Sequence, residues 1–267
     1  MNKKQEQFKI NHPELDEIAK VNNMTQKQVK DLIGLIKSGL KPVTKRIYVT
    51  ENGMKRRFSI TRKGVGPLKT KFGEFWQFAF EIDDQWVDYA VIVKANLNNK
   101  TLLPIFKKKN KIIIRTDSGC ATGQVFGDLT CECLDQLHLA MKTISDAGEG
   151  MIIHIPRQDG RGMGIPFKLA TLWLQKELKV NTIESALMLA KNGDIDVRTY
   201  AGVVGILKFF EIPETCHINL AVNNPRKVKI FSENGYSVRN CAQTYIKSNK
   251  NIEHHLKAKK RYYQGMK

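Results

Sequence analysis

The sequence has no apolar run near the roughly 20 residues that a membrane-spanning helix needs. Its first segment, MNKKQEQFKINHPELDE, lacks the apolar core of a signal peptide. Cysteine is scarce: there are five in 267 residues, an odd number that argues against a disulfide framework. These absences exclude a membrane protein and a disulfide-stapled secreted protein, and they predict a soluble cytoplasmic protein.

Acidic residues are few relative to basic ones. Lys and Arg number 44 against 26 Asp and Glu, which gives a formal net charge of +18. The excess is spread along the chain without a polybasic tail. It favours an anionic partner, either a nucleic acid or a phosphorylated small molecule, with a lysine-rich solvated surface as the alternative.

The order of the predicted elements indicates an α/β protein. Residues 1–64 are predicted to be an N-terminal extension of two short amphipathic helices, 13–21 and 26–37, and a hairpin with an Asn-Gly turn. In residues 65–267 strands alternate with helices, which predicts a mixed sheet core with flanking helices. The extension is interpreted either as a packing or oligomerisation segment or as a small nucleic-acid-binding module.

Local composition sets the elements of the larger domain. Runs rich in β-branched and aromatic residues predict strands at 72–82, 86–97, 111–116, 150–155, 217–222 and 236–238. Apolar residues at helical spacing predict helices at 134–148, 166–178, 183–190, 198–210, 223–235 and 251–262. The loops RQDGRGMG and VNNPRKV follow predicted strands, where α/β proteins commonly bind ligands.

Three of the five cysteines, Cys120, Cys131 and Cys133, are clustered in sequence. Three thiolates can hold Zn²⁺ and leave a fourth position open, as in catalytic zinc sites that activate water at neutral pH. A structural zinc site usually closes with a fourth ligand from a second cysteine motif, but no Cys-x-x-Cys exists here, and Cys216 and Cys241 are far away in sequence. The alternative is three ordinary buried cysteines.

Cationic side chains accompany the loops at the strand ends. Two arginines of RQDGRGMG can clamp phosphate oxygens, and Arg226 and Lys227 can reach an anion from the second loop. Asp196 and Arg198 are predicted to lie together at the start of a helix. The alternative interpretations are a turn with solvated arginines and an ordinary helix cap.

Together these segments resemble GTP cyclohydrolase II. RTDSGCATGQVFGDLTCECLDQL is similar to the zinc segment of that family, and the likeness continues in order through RQDGRGMG, NTIES, DIDVRTY, VNNPRKV and NIEHHLKAK. The resemblance implies a homodimeric hydrolase that binds GTP, releases pyrophosphate and opens the imidazole ring at C8 with the help of zinc. Formate is released in the standard reaction, which begins riboflavin synthesis.

The resemblance also assigns roles to individual residues. Cys120, Cys131 and Cys133 match the zinc ligands, and Mg²⁺ is expected to assist the triphosphate. Asp196 matches the proton acceptor, and Arg198 matches the nucleophile at the α-phosphate. The other matched positions are expected to bind the nucleotide, with Glu184 at the guanine edge and Lys227 at a phosphate: Arg115, Gln136, Asp159, Gly160, Arg161, Glu184 and Lys227.

Three positions depart from the family pattern. Gly119 stands where a Glu usually precedes the first zinc cysteine, Leu172 where a helix usually carries a catalytic Tyr, and Val222 where a Thr is expected. Leucine cannot transfer a proton, so either His154 or a water replaces the Tyr or the reaction is altered. The alternatives are a paralogue that stops at the formylated ring-opened nucleotide or serves another pathway such as uracil catabolism. From another class, the alternative is a regulatory nucleic-acid-binding protein with a degenerate enzyme domain.

Overall fold

The computed structural model describes residues 14–83, 88–107, 111–191, 193–220, 225–241 and 252–264. The chain divides into two compact units, Met1–Lys41 and Pro42–Lys267. None of the helices in the described ranges combines the length and the apolar character needed to cross a bilayer.

The smaller unit contains two helices, α1 (Leu15–Val21) and α2 (Gln26–Gly39). A capping box begins α2: Thr25 Oγ1 accepts a hydrogen bond from the Gln28 N–H, and the Gln28 side chain accepts one from the Thr25 N–H. Both helices predicted in this part of the chain are therefore present.

The larger unit is built on a mixed sheet, which confirms the predicted α/β class. Its described strands are β1 (Val43–Glu51), β2 (Met54–Thr70), β3 (Gly73–Ile82), β4 (Tyr89–Lys94), β5 (Asn96–Leu97), β6 (Pro104–Ile105), β7 (Lys111–Ser118), β8 (Gly150–Ile155), β9 (His217–Leu220) and β10 (Ser237–Cys241). Eight of them form one sheet in the order β1-β2-β3-β4-β8-β7-β9-β10, and β5 pairs with β6 separately. Pairing is antiparallel from β1 through β4 to β8 and parallel from β8 to β10.

Seven helices of the described residues accompany this sheet. They are α3 (Ala121–Gln124), α4 (Cys133–Ala147), α5 (Gly164–Leu178), α6 (Glu184–Leu189), α7 (Ala201–Phe209), α8 (Pro225–Ser232) and α9 (Glu253–Gln264). Of these, α4, α7 and α8 pack directly on its strands. Ile144 of α4 packs with Ile152 and Phe75 on one face, while α7 and α8 pack into the larger apolar cluster. Because β7 and β8 are parallel, the loops that follow them leave the same edge of the sheet, which is where ligands bind in such folds.

The N-terminal hairpin belongs to the sheet, so the domain boundary predicted after residue 64 is wrong. That position falls inside β2, and the chain divides after Lys41 instead. The physical reason is packing: Ile47, Val49 and Ile60 of the hairpin are buried in the main core. Helix α7 approaches the hairpin so closely that a Cβ at Gly205 would lie 2.9 Å from Ile60 Cδ1.

This arrangement predicts different outcomes for two truncations. Removing residues 1–41 is expected to leave a folded protein, because the remainder is a compact unit. Removing residues 1–64 should prevent folding, because three buried aliphatic side chains, worth about 1.5–3 kcal/mol each, are a large share of the ~5–15 kcal/mol that stabilises a domain. Thermal unfolding of the two truncated proteins tests this, and a cooperative transition in the shorter one would contradict it.

Candidate active site at the ends of the central strands

Three cysteine sulfurs meet beside the C-terminal end of β7. Cys120 follows that strand by two residues, and Cys131 and Cys133 stand at the start of α4. The three Sγ atoms lie within 4.8 Å of one another, and those of Cys120 and Cys131 are 3.7 Å apart. Within the described part of the chain, no other cluster of His, Cys, Asp and Glu ligand atoms has this form. The fold thus assembles the three residues predicted to hold zinc.

The donor set and its surroundings fit a zinc ion. Hydrogen bonds from the Cys131 and Cys133 thiols hold the pKa of Cys120 below its ordinary value and raise the pKa of the two donors, so Cys120 is the first of the three sulfurs to ionise. Gly123 leaves the space that the sulfurs occupy, because a Cβ there would lie 2.5 Å from Cys131 Sγ and 3.4 Å from Cys120 Sγ. Three protein ligands are what a catalytic zinc site supplies.

A hydrogen-bond network joins β7 to the metal loop. The Arg115 guanidinium donates to Asp117 Oδ1 at 3.2 and 3.0 Å and to Gln136 Oε1 at 3.1 Å. Gln124 donates to Asp117 Oδ2 at 2.8 Å and accepts a hydrogen bond from the Cys120 N–H at 3.0 Å. Arg115 and Gln136, both predicted to bind the nucleotide, are therefore in contact and connected to the cysteine cluster.

The turn after β8 contacts both the loop that carries Cys120 and the segment that carries Asp196 and Arg198. The buried carboxylate of Asp159 accepts a hydrogen bond from the Ala121 N–H at 2.9 Å, and burial raises its pKa. Gly160 and Arg161 adopt left-handed backbone angles, with φ of 57° and 59°. The Arg161 carbonyl accepts a hydrogen bond from the Val197 N–H at 3.1 Å. This turn therefore places Asp159 at the metal loop and Arg161 beside the segment that carries Asp196 and Arg198.

The Arg161 side chain has unused hydrogen-bonding capacity. Its Nη2 donates to the Thr182 carbonyl at 3.4 Å, while its buried Nη1 has no partner among the described residues. Burial lowers the pKa of this guanidinium. A buried donor that lacks a partner suits an anionic ligand such as phosphate.

Asp196 and Arg198 form a bidentate ion pair. Arg198 Nε donates to Asp196 Oδ1 at 2.7 Å and Nη2 donates to Oδ2 at 2.5 Å. The Tyr263 hydroxyl lies 3.3 Å from both Asp196 Oδ2 and Arg198 Nη2. Burial alone would raise the pKa of Asp196, but the hydrogen bonds and charge of Arg198 hold it below its ordinary value. Asp196 is thus an ionised carboxylate that fixes the orientation of Arg198.

The segment that carries this pair precedes α7, whereas the sequence predicted a helix from residue 198. The helix begins at Ala201, where the Tyr200 N–H donates to Glu51 Oε1 at 2.7 Å. The Thr199 hydroxyl donates to the other oxygen of Glu51. The carboxylate of the hairpin thereby fixes the end of the segment next to Arg198, which sequence reasoning did not foresee.

Lys227 of α8 adds a buried amine to these cationic groups. Its Nζ donates to the Thr116 carbonyl of β7 at 2.7 Å and lies 5.6 Å from the centre of the Tyr200 ring. Burial, together with the charges of Arg115 and Arg198, lowers the pKa of Lys227 to about 7. The predicted phosphate lysine therefore faces the same strand as Arg115.

The structure does not place three other positions named from the sequence in this group. Glu184 is exposed, and its Oε2 accepts a hydrogen bond from the Asn181 N–H at 2.8 Å, in the turn that leads into α6. Its role at the guanine edge stays a prediction. Leu172 lies on α5 without any polar side-chain atom to offer, and Val222 lies outside the described residues.

Sequence reasoning missed Asp117 and Tyr263. The alternation of β7 contained a signal for Asp117, since residues two apart in a strand share a face and Arg115 was already identified. Nothing local marks Tyr263, because its contacts with Asp196 and Arg198 join positions more than 60 residues apart in the chain.

Comparison with known proteins gives consistent matches. The family model described as GTP cyclohydrolase II matches residues 61–243. GTP cyclohydrolase-2 of Picrophilus torridus is 33% identical over 193 residues, covering 72% of this chain and 92% of the relative. GTP cyclohydrolase-2 of Streptomyces coelicolor is 28% identical over 225 residues, covering 80% and 95%. Riboflavin biosynthesis protein RibBA of Phocaeicola vulgatus is 30% identical over 203 residues, and the match spans 76% of this chain but 46% of that longer protein.

Proposed function

Since the chain belongs to the GTP cyclohydrolase II family and is therefore a hydrolase acting on GTP, we propose that it is a zinc-dependent enzyme. It releases pyrophosphate from GTP and opens the guanine imidazole ring at C8, as the first reaction of riboflavin synthesis. The observation that carries this proposal is the convergence of two groups on β7. Cys120 follows the strand, Arg115 lies in it, and Lys227 donates to its Thr116 carbonyl.

The cationic groups are proposed to have two roles: some bind the triphosphate, and Arg198 acts at the α-phosphate. Arg161 offers a buried nitrogen that has no partner among the described residues, and Arg115 and Lys227 add positive charge at β7. Arg198 is held in one orientation by Asp196, so its guanidinium meets the α-phosphate without first losing side-chain freedom. Mg²⁺ is proposed to accompany the triphosphate, as it commonly does for nucleotide substrates.

The cysteine cluster serves the other reacting centre, the C8 atom of guanine. Cys120, Cys131 and Cys133 would hold a zinc ion, and such an ion supplies a Lewis acid that activates water at neutral pH. Gln124 fixes the loop that carries Cys120 through its two hydrogen bonds, one to Asp117 and one from the Cys120 N–H.

The proposal is tested on the purified chain by metal analysis and by incubation with GTP and Mg²⁺. We expect about one zinc ion per chain, release of pyrophosphate, and a ring-opened nucleotide identified by mass spectrometry. Turnover without pyrophosphate, or no change in GTP at full zinc occupancy, would contradict it.

A homodimer in the cytoplasm is also proposed. The metal loop exposes Val125, Phe126 and Leu129, and α5 exposes Leu169 and Trp173, which is 71% exposed. Large apolar side chains this exposed are typical of an interface. Light scattering on a gel-filtration column is expected to give twice the 30.5 kDa chain mass, and a monomer would contradict the proposal.

The low pKa of Lys227 predicts a pH-dependent phosphate site. With a pKa of about 7, the amine is charged below that pH and neutral above it. Only the charged form binds phosphate strongly. Affinity for a non-hydrolysable GTP analogue should therefore fall above about pH 7, by up to about tenfold per pH unit.

Calorimetric titration from about pH 6 to about pH 9 measures this dependence. Lys227→Gln is the matched comparison, because it keeps a polar side chain, one atom shorter, that cannot change its charge in this range. Only the titration of the ligand itself should remain in the variant. Equal pH dependence in both proteins would contradict the prediction.

A further inference from the structure

Asp117 and His154 form a pair beside the metal loop that the steps described so far do not use. They are register partners on the parallel strands β7 and β8. His154 Nδ1 lies 2.8 Å from Asp117 Oδ2. The Asp117 side chain is 1% exposed and that of His154 is 32% exposed. A buried carboxylate thus supports an imidazole that reaches the surface of the site.

The surroundings of Asp117 determine which atom of this pair carries the shared proton. Burial alone would raise the pKa of Asp117, but the hydrogen bond from His154 and the charge of Arg115 hold it below its ordinary value. The ionised carboxylate accepts the hydrogen bond, so His154 Nδ1 donates it. A neutral imidazole then carries its lone pair on Nε2, the arrangement by which a carboxylate orients a histidine for proton transfer.

Gly119 leaves room for that nitrogen. A Cβ at this position would lie 2.9 Å from His154 Nε2 and 3.1 Å from Cε1, and it would also lie 2.7 Å from the Ile155 carbonyl oxygen. The imidazole therefore occupies the space that a side chain at 119 would need, directly before Cys120. The glycine and the histidine fit each other, and the side chain missing at 119 is replaced in space by the ring.

We propose that His154 transfers the proton in hydrolysis of the formamide that ring opening creates, and that Asp117 is its positioning residue. This inference rests on the proposed function. Nε2 takes a proton from water as the water oxygen bonds to the formyl carbon. The imidazolium then gives that proton to the amide nitrogen as the carbon–nitrogen bond breaks. One water is consumed, and formic acid and the free amine leave. The acid gives its proton to solvent to become formate, and His154 is neutral again.

The inference also explains how the reaction can proceed without the tyrosine hydroxyl that the family usually has at the position of Leu172. General acid–base groups typically contribute about 10²–10⁴-fold in rate. A chain with no replacement for such a group would accumulate the formylated nucleotide, whereas a chain that uses His154 releases formate from the same substrate. Wild-type protein is therefore expected to release formate and pyrophosphate in equal amounts.

His154→Gln is the first test, with formate and pyrophosphate counted from the same GTP reaction. Pyrophosphate release should persist, while the rate of formate release should fall by about 10²–10⁴-fold and the formylated nucleotide should appear by mass spectrometry. His138→Gln is the matched control, because that half-buried ring lies on α4 and packs against Phe72, with 5.2 Å between ring centres. Its ratio of formate to pyrophosphate should equal that of the wild type.

His154→Ala distinguishes proton transfer from a purely structural role, because only a lost proton-transfer group can be replaced by added imidazole. Added imidazole should restore formate release in this variant, with zinc content and thermal unfolding measured on the same sample to establish that it is folded and loaded. A folded, zinc-loaded variant that imidazole does not rescue would overturn the inference, as would a wild-type product ratio in His154→Gln. Wild-type protein that releases pyrophosphate without formate would also overturn it, whereas wild-type protein that releases neither would refute the proposed function itself.

Discussion

Replacing Arg198 by alanine should lower pyrophosphate release from GTP by at least ~10²–10³-fold, the usual cost of removing one preorganised donor at a reacting centre. The guanidinium is oriented by two hydrogen bonds to Asp196, so its loss removes charge and geometry together. Nucleotide affinity should suffer less, because Arg161 and Lys227 remain. Pyrophosphate release under saturating GTP and the Kd of a non-hydrolysable analogue separate the two effects.

The buried carboxylate complicates the alanine variant. Asp196 is 1% exposed, and a buried ion that loses its partner typically costs about 3–5 kcal/mol. Arg226 and Tyr263 remain near Asp196 and reduce that cost. Thermal unfolding should therefore accompany the assay. Arg198→Lys keeps the positive charge but cannot make the two parallel hydrogen bonds to Asp196. It should therefore fold well, while its rate of pyrophosphate release stays low.

An exposed arginine of the hairpin gives the control for these variants. Arg56→Ala removes the same side chain from an exposed position that pairs with Val49 and, within the described part of the chain, has no hydrogen bond or ion pair to Asp196 or Arg198, so it should leave pyrophosphate release unchanged. Wild-type release in Arg198→Ala would place the chemistry elsewhere. So would equal losses of release and of affinity, because Arg198 would then act only in binding.

The fold was largely predictable because its elements are locally encoded. The Asn52-Gly53 turn has positive φ at both residues, 53° and 75°, as its sequence indicated. Helix α4 ends at Gly148 in the left-handed conformation that favours glycine. The domain boundary was not predictable in this way, since it depends on the packing of Ile60 against α7, and no local pattern encodes a contact of that range.

In the candidate site, too, the residues that are close in sequence were predictable and the long-range contacts were not. The three cysteines and the pair Asp196 and Arg198 are close in sequence, so their spacing already indicated that they act together. The Asp117–His154 pair depends on the register between β7 and β8. The contact of Glu51 with the start of α7 joins positions about 150 residues apart. Such contacts follow from strand order, which local sequence patterns do not specify.

The largest expected effect on metal content comes from Cys131→Ser. Its sulfur lies 3.7 Å from that of Cys120 in a space that Gly123 keeps free, so the loop is shaped around a third thiolate. A serine hydroxyl is a poor zinc ligand beside two thiolates. Zinc is expected to fall from about one per chain to nearly none, and ring opening should be lost with it. Metal analysis and mass spectrometry of the nucleotide products measure both.

Two further variants show whether zinc is lost because a ligand is removed or because any substitution in this protein lowers its zinc content. Cys216→Ala changes a free, buried cysteine outside the cluster and should leave zinc content unchanged. Gly123→Ala leaves all three ligands in place, but its Cβ would lie 2.5 Å from Cys131 Sγ, so it should weaken zinc binding by displacing that sulfur. Full zinc content in Cys131→Ser would refute the three-cysteine assignment. Full zinc content in Gly123→Ala together with loss in Cys131→Ser would show that the loop yields to the added methyl group while the thiolate itself is essential.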